Sequence, residues 1–365
     1  YDKHKELNAK FMEFGGYDMP LRYGGDNVEH MGVRRQVGLF DVSHMGEFFV
    51  RGSKAVDLLQ YVTTNDVSKL KPGKAQYSCM LLEEGGVIDD LIVYMLDEEE
   101  YMVVVNAANI EKDFGWIEKH NKAFGAELVN RSEEMSLLAL SGPLSVKTIQ
   151  KLTDFDVEEL SYYACRRGKV ADIPNVLIAT TGYTGERTFE LYLHNDYAPK
   201  LWDALMEAGD QYGIQPCGLA ARDTLRLEMG YCLYGMDIHE NVNPLEAGLG
   251  WIVKRNKGAF IGKDAIVKAK EKGLTHKLVA FHTVDRGIPR HNHRLYDEND
   301  NEVGVVTSGT FSPSLRNGIG LAYVPVEHKA PGSKLKLYIQ KKPVECEVQK
   351  LPFVEDTSLA RWLDK

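Results

Sequence analysis

The feature that most constrains this chain is a change of rhythm near residue 275. Before it, apolar residues recur at both helical and strand spacing. After it, short apolar runs follow one another closely, at 278–282, 294–296, 303–308, 318–324, 334–339 and 344–350, with Gly, Pro and Asn-Asp turns between them. Many short strands at such spacing predict a small antiparallel barrel or sandwich, since a lone strand cannot bury its apolar face. A charged stretch, 268–277, separates this part from the rest. A chain of 365 residues is also too long for one core, and two or three domains are expected.

The first 275 residues read as α+β. Residues 5–14 have helical spacing and lead into a turn-rich stretch, 15–20; a second helix is expected over 27–36, followed by an apolar run at 46–50. A helix at 56–62 and a strand at 75–82 come next. Gly85 and Gly86 supply a hairpin turn, because glycine tolerates positive φ. Strands follow at 87–96 and 101–105. Asn109 reads as the N-cap of a helix that places Ile110, Phe114 and Ile117 on one face. A similar order returns from about residue 135: a strand at 137–140, a helix, strands near 170–179 and 188–193, then an amphipathic helix with Leu201, Trp202, Leu205 and Met206.

Several function classes fall away on composition. A net charge of -9 argues against general nucleic-acid binding, which needs a basic face, and leaves room for a local basic patch. No apolar run is long enough to span a bilayer; the nearest, 91–96, is strand-sized. Cys79, Cys165, Cys217, Cys232 and Cys346 are scattered, with no spacing suited to zinc, and read as reduced thiols. The opening ten residues carry neither an apolar signal segment nor an Arg/Ser-rich transit pattern, so a cytoplasm-like compartment is expected. There is no Rossmann glycine fingerprint and no Walker lysine loop, so neither a nucleotide cofactor nor a metal is indicated.

Four segments could carry chemistry. Asp89 and Asp90 stand side by side inside the apolar strand Gly-Gly-Val-Ile-Asp-Asp-Leu. Strand neighbours point to opposite faces, so one acid should meet a core or pocket while the other reaches solvent, unless both lie at a sheet edge. In residues 181–191, glycines frame Tyr183 and an acid, Glu190, lies within the next strand. An aromatic beside a carboxylate suits a flat heterocycle rich in hydrogen-bond donors; a tight hairpin with a surface Glu is the plainer alternative. Residues 218–228 read as a helix with Arg222 and Arg226 at i, i+4, either of which could pair with a carboxylate or hold a ligand. Ser43 and His44 invite a triad reading, which is rejected because adjacent residues rarely reach one another productively; His44 reads as a satisfied structural histidine.

Taken together, these residues resemble the glycine cleavage T-protein family, the aminomethyltransferases. The similarity is carried by residues 38–46, the Gly-Gly-Val-Ile-Asp-Asp-Leu strand, 105–109, 181–186, 218–227, 243–246 and 306–309, and runs from about residue 4 to Phe353. The resemblance implies a three-domain, cloverleaf-like α+β arrangement. Two interleaved folate-binding domains (roughly 1–52 with 135–270, and 53–134) would make up the first 275 residues, and 276–365 would form a C-terminal antiparallel β-barrel. It further implies a tetrahydrofolate-dependent transferase that takes an aminomethyl group from the lipoyl arm of a carrier, the H-protein. The products would be 5,10-methylenetetrahydrofolate, ammonia and the reduced carrier.

By motif, Asp90 matches the family's catalytic aspartate, placed near the reactive folate nitrogens to stabilise a cationic, iminium-like centre. Glu190 matches the acid that hydrogen-bonds the pterin, Arg222 an arginine of the same site, and Tyr77, Tyr183 and Tyr231 the aromatics lining the pocket. The family places a site residue near the chain end, where this tail departs from the pattern; Arg361 is the candidate it offers. The location implied is the bacterial cytoplasm, or the mitochondrial matrix in a eukaryote. Two relatives of the same fold are the rivals. The folate domains of sarcosine and dimethylglycine oxidising enzymes carry a flavin domain upstream. The iron–sulfur assembly factor needs a Lys-Gly-Cys loop, where this chain has Phe260, Ile261, Gly262 and Lys263.

Overall fold

The computed structural model describes Tyr1–Asp364. The chain divides into two compact units. One contains residues 1–78, 90–223 and the segment from 356 onward; the other contains 79–89 and 224–355.

The first unit is built on two sheets. A six-stranded sheet runs in the order Cys165–Val170, Ile173–Ala179, Thr188–His194, Met135–Ser141, Gly38–Asp41, Gln215–Cys217. Its pairs are antiparallel except the last, which is parallel. The period of two decides what each face does. Phe189, Leu191 and Leu193 point into a core completed by Leu201, Trp202 and Leu205 of the helix Ala198–Gly209. Glu190 and Tyr192 must therefore point to the other face.

The five-stranded sheet runs Lys74–Leu81, Val87–Asp97, Glu100–Val105, Gly46–Arg51, Glu127–Asn130. Phe48 meets Phe114 of the helix Ile110–Asn121 edge-on, with ring centroids 5.3 Å apart, which fixes the helix-covered face. Glu47, one residue earlier, faces the other way. It lies in one row with Val104 and Ile92 across the sheet. Asp90 and Tyr94, two residues either side of Ile92, share that face.

Two local expectations need correction. The helical spacing at 5–14 yields only a short helix, Asp2–Glu6, and then a hairpin, Lys10–Phe14 with Tyr17–Arg22. Gly15 and Gly16 both take positive φ (60° and 87°), the geometry of a primed two-residue turn, and the cross-strand pairs it permits override the helical periodicity. Asn109 does precede the helix Ile110–Asn121, but it ends a 3-10 turn and makes no side-chain cap bond.

The second unit is dominated by a closed antiparallel barrel in the order His276–Thr283, Asn317–Pro325, Glu302–Ser312, Arg294–Tyr296, Lys334–Ile339, Lys342–Gln349, the last strand pairing back to the first. Closure removes every sheet edge, which resolves the choice between barrel and sandwich. Phe281, Leu295, Val306, Leu335, Leu337 and Cys346 fill the interior. Full burial of each large apolar side chain is worth about 1.5–3 kcal/mol. The charged stretch before the barrel begins in the helix Lys263–Lys272 and ends in the barrel strand His276–Thr283. At Gly86 a Cβ would meet the Glu240 carbonyl oxygen at 1.6 Å, so only glycine fits this turn. All five cysteines are free and buried. Among the described residues, no helix is long and apolar enough to cross a membrane.

Candidate functional site

The adjacent acids separate as strand geometry requires. Asp89 is fully buried, while Asp90 is partly buried on the opposite face. Two groups hold the Asp90 carboxylate from different sides. Tyr77 donates its hydroxyl to Oδ2 at 2.8 Å, and Asn106 donates its amide to Oδ1 at 2.9 Å. Tyr77 stands on the neighbouring strand, and Asn106 follows Glu100–Val105 at the point where the chain turns into a 3-10 segment. These two donors fix the direction in which the carboxylate oxygens point.

Four residues further along the strand, about 13 Å away at ~3.3 Å per residue, Tyr94 reaches the six-stranded sheet. Its hydroxyl lies 2.7 Å from Thr181 Oγ1, 3.0 Å from the Tyr192 hydroxyl and 3.2 Å from Glu190 Oε2. Tyr192 is likewise 3.2 Å from Glu190 Oε2, and Thr181 donates to the same oxygen. Burial raises the carboxyl of Glu190 above its ordinary range, opposed by these three hydroxyls and by the charge of Arg222. Burial, reinforced by the charge of Glu190, also drives both phenols well above theirs, so they stay protonated and act as donors. The three bonds to Glu190 converge on Oε2, and among the described residues none reaches Oε1.

Arg222 and Arg226 take different roles. Arg222, partly buried on the helix Leu219–Met229, lies over the Tyr183 ring at 4.5 Å and is close enough to His44 and Glu190 to influence both. Arg226, in the second unit, is a structural ion pair, 2.7 Å from Asp237 Oδ2 with 2% exposure. Asp237 also accepts from Leu233 N, Ser308 Oγ and Thr307 Oγ1.

The first unit thus groups Tyr77 with Asp90, and Tyr183 and Arg222 with Glu190. Tyr231 belongs to the second unit, where its carbonyl accepts from Arg226. Arg361 is exposed and pairs with Asp356. The tail is anchored instead through Ser358, whose N–H and hydroxyl donate to Glu186, and through Trp362, which lies beneath the Arg187 guanidinium.

His44 corrects another expectation. It is 1% exposed, packs edge-on against Phe14, and among the described residues neither ring nitrogen has a hydrogen-bond partner. Burial, reinforced by Arg222, pushes its pKa down to about 3, so the ring is neutral. Glu47 is also fully buried, with neither carboxyl oxygen partnered among the described residues, and burial beside the charge of Glu190 raises it well above the ordinary range. An unsatisfied buried polar group costs about 1–3 kcal/mol. Such groups are tolerated where a ligand satisfies them.

Sequence reasoning missed Tyr94, Thr181, Tyr192, Asn106 and Glu47. Tyr94 had a signal: it stands at i+4 from Asp90 in a strand and so shares its face. Glu47 is an acid inside a run read simply as apolar, and the same burial argument made for Asp89 and Asp90 applies to it.

Comparison with known proteins agrees with this arrangement. The GCVT N-terminal domain profile matches residues 1–257, and that of the glycine cleavage T-protein C-terminal barrel domain matches 276–355. An aminomethyltransferase of Flavobacterium psychrophilum is 50% identical over 96% of this chain and 97% of its own length. One from Halothermothrix orenii is 50% identical over 97% and 98%. The crystal structure of glycine cleavage system aminomethyltransferase T from Bartonella henselae superposes with a TM-score of 0.92, at 36% identity, covering 98% of this chain and 97% of that one. The chain therefore belongs to the glycine cleavage T-protein family, the aminomethyltransferases.

Proposed function

We propose that this chain transfers a one-carbon unit from an aminomethyl-lipoyl carrier, the H-protein, to tetrahydrofolate. The products are 5,10-methylenetetrahydrofolate, ammonia and the dihydrolipoyl carrier. Family membership supports the reaction class. The observation that carries the folate reading is a pair of carboxylates, one on each sheet of the first unit, each aimed by donors: Asp90 by Tyr77 and Asn106, Glu190 by Thr181, Tyr94 and Tyr192.

The residues fit a reduced pterin. Glu190 keeps Oε1 for ring N–H groups, and Arg222 and Tyr183 offer a flat cationic and aromatic surface. Tyr231 is assigned to the pocket by motif alone. When bound, tetrahydrofolate supplies the nitrogen nucleophile that accepts the one-carbon unit. In this reading Asp90 takes a proton from that nitrogen and faces the positive charge on the one-carbon unit as its bonds to the leaving ammonia and to the lipoyl sulfur break. The two protons lost by the folate nitrogens leave on the ammonia and the thiol. No described group of His, Cys, Asp and Glu side chains could hold a metal ion, and nothing in this scheme requires one. The free, buried cysteines suit a reducing compartment such as a bacterial cytoplasm or a mitochondrial matrix.

Asp90→Asn is the direct test. Turnover should fall by about 10²–10⁴-fold while the dissociation constant for tetrahydrofolate stays within a few-fold of wild type. Near-wild-type turnover would remove Asp90 from the chemistry.

A further inference from the structure

Glu47 is the buried titratable group that the scheme above leaves without work. It lies in the first unit on the strand Gly46–Arg51, in one row with Val104 and Ile92, and therefore on the sheet face that carries Asp90 and Tyr94. It is fully buried, and neither carboxyl oxygen has a hydrogen-bond partner among the described residues. The groups whose charges it feels or influences are Glu190 and Tyr192, both part of the cluster already described. A structural role would show a partner: Asp237 in the second unit, equally buried, has Arg226, Leu233, Thr307 and Ser308.

We propose that Glu47 is a further ligand-contacting residue, its carboxyl hydrogen-bonding the same flat heterocycle whose N–H edge Glu190 accepts. This rests on the folate reading and adds a specificity determinant to it. Burial, reinforced by the charge of Glu190, raises the Glu47 carboxyl well above its ordinary range and so favours the protonated form, which offers one donor and one acceptor. It therefore selects a ring that presents an acceptor next to a donor, which Glu190 alone, as an acceptor only, would not distinguish from any donor-rich ring. Glutamine reproduces that pair of functions; leucine, of similar size, reproduces neither.

The test is titration of wild type, Glu47→Gln and Glu47→Leu with tetrahydrofolate, alongside thermal melting of each free protein. Glu47→Gln should bind within about threefold of wild type, and Glu47→Leu about tenfold or more weakly, as expected for one lost buried hydrogen bond. The free Leu variant should melt no lower than wild type, because it removes an unsatisfied polar group rather than a contact. A folded Leu variant that binds as tightly as wild type would overturn the inference and leave the folate reading intact. Failure of the wild type itself to bind would overturn both. Should the Leu variant not fold, difference infrared on wild type decides. The protonated carboxyl stretch that disappears in Glu47→Gln should move to lower frequency when tetrahydrofolate is added, and an unmoved band overturns the proposal.

Discussion

Glu190 holds its place because three hydroxyls and a guanidinium offset part of its desolvation, with Tyr94, Tyr192 and Thr181 all within hydrogen-bond reach of its Oε2. Glu190→Gln keeps the volume but offers one carbonyl oxygen where two carboxylate oxygens stood. Affinity for tetrahydrofolate should fall about tenfold or more, as expected for loss of a charge-assisted hydrogen bond, with the maximal rate changed less. An unchanged dissociation constant in a calorimetric titration would remove Glu190 from the site. His44 yields a prediction about pH. Its folded pKa is about 3, against about 6.5 in the unfolded chain, so below pH ~6.5 the unfolded state takes up a proton that the folded state refuses. Stability should drop as pH falls from about 6.5 towards 3. His44→Phe, packed on Phe14, should lose part of that slope in urea midpoints measured at pH 7 and 4.5; equal slopes would contradict the burial argument. At this scale, acids inside apolar strands were legible in the sequence. The division of labour between Arg222 and Arg226 was not, because i, i+4 spacing says they share a face and nothing about which partner each meets.

Among the elements, strands with strong alternation and glycine turns were readable at nearly their observed bounds, such as Val87–Asp97 and the barrel strands. The helical spacing at 5–14 misled, since a two-glycine turn and pairing between Lys10–Phe14 and Tyr17–Arg22 decide that segment, and such pairing leaves no mark on local periodicity. The helix Leu219–Met229 illustrates another hidden constraint. Arg226 at its end is fastened to Asp237, and Asp237 to Thr307 and Ser308 of a barrel strand, all within the second unit. Asp237→Ala leaves a buried guanidinium without its counter-charge and should destabilise this unit by about 3–5 kcal/mol. The measurement is the urea midpoint of the variant against wild type. A loss under about 1 kcal/mol, the range of an exposed pair, would show that the network is not buried in solution.

For the whole molecule, the turn-rich region after residue 275 announced a β domain long before closure could be known. Closure depends on Thr283 and its neighbours pairing with a strand more than sixty residues away. The candidate site is harder to read, because Glu190 joins the sheet that carries Asp90 and Glu47 only where the two sheets of the first unit meet through Tyr94 and Tyr192. Family motifs marked two of those acids, and geometry alone marks the third. The most direct test of the account is to mix the protein with aminomethyl-loaded lipoyl carrier, with and without tetrahydrofolate, and to measure ammonia and methylenetetrahydrofolate together. The account predicts catalytic, equimolar release of both that depends on tetrahydrofolate. Ammonia released at the same rate without tetrahydrofolate, or no methylenetetrahydrofolate in its presence, would contradict it.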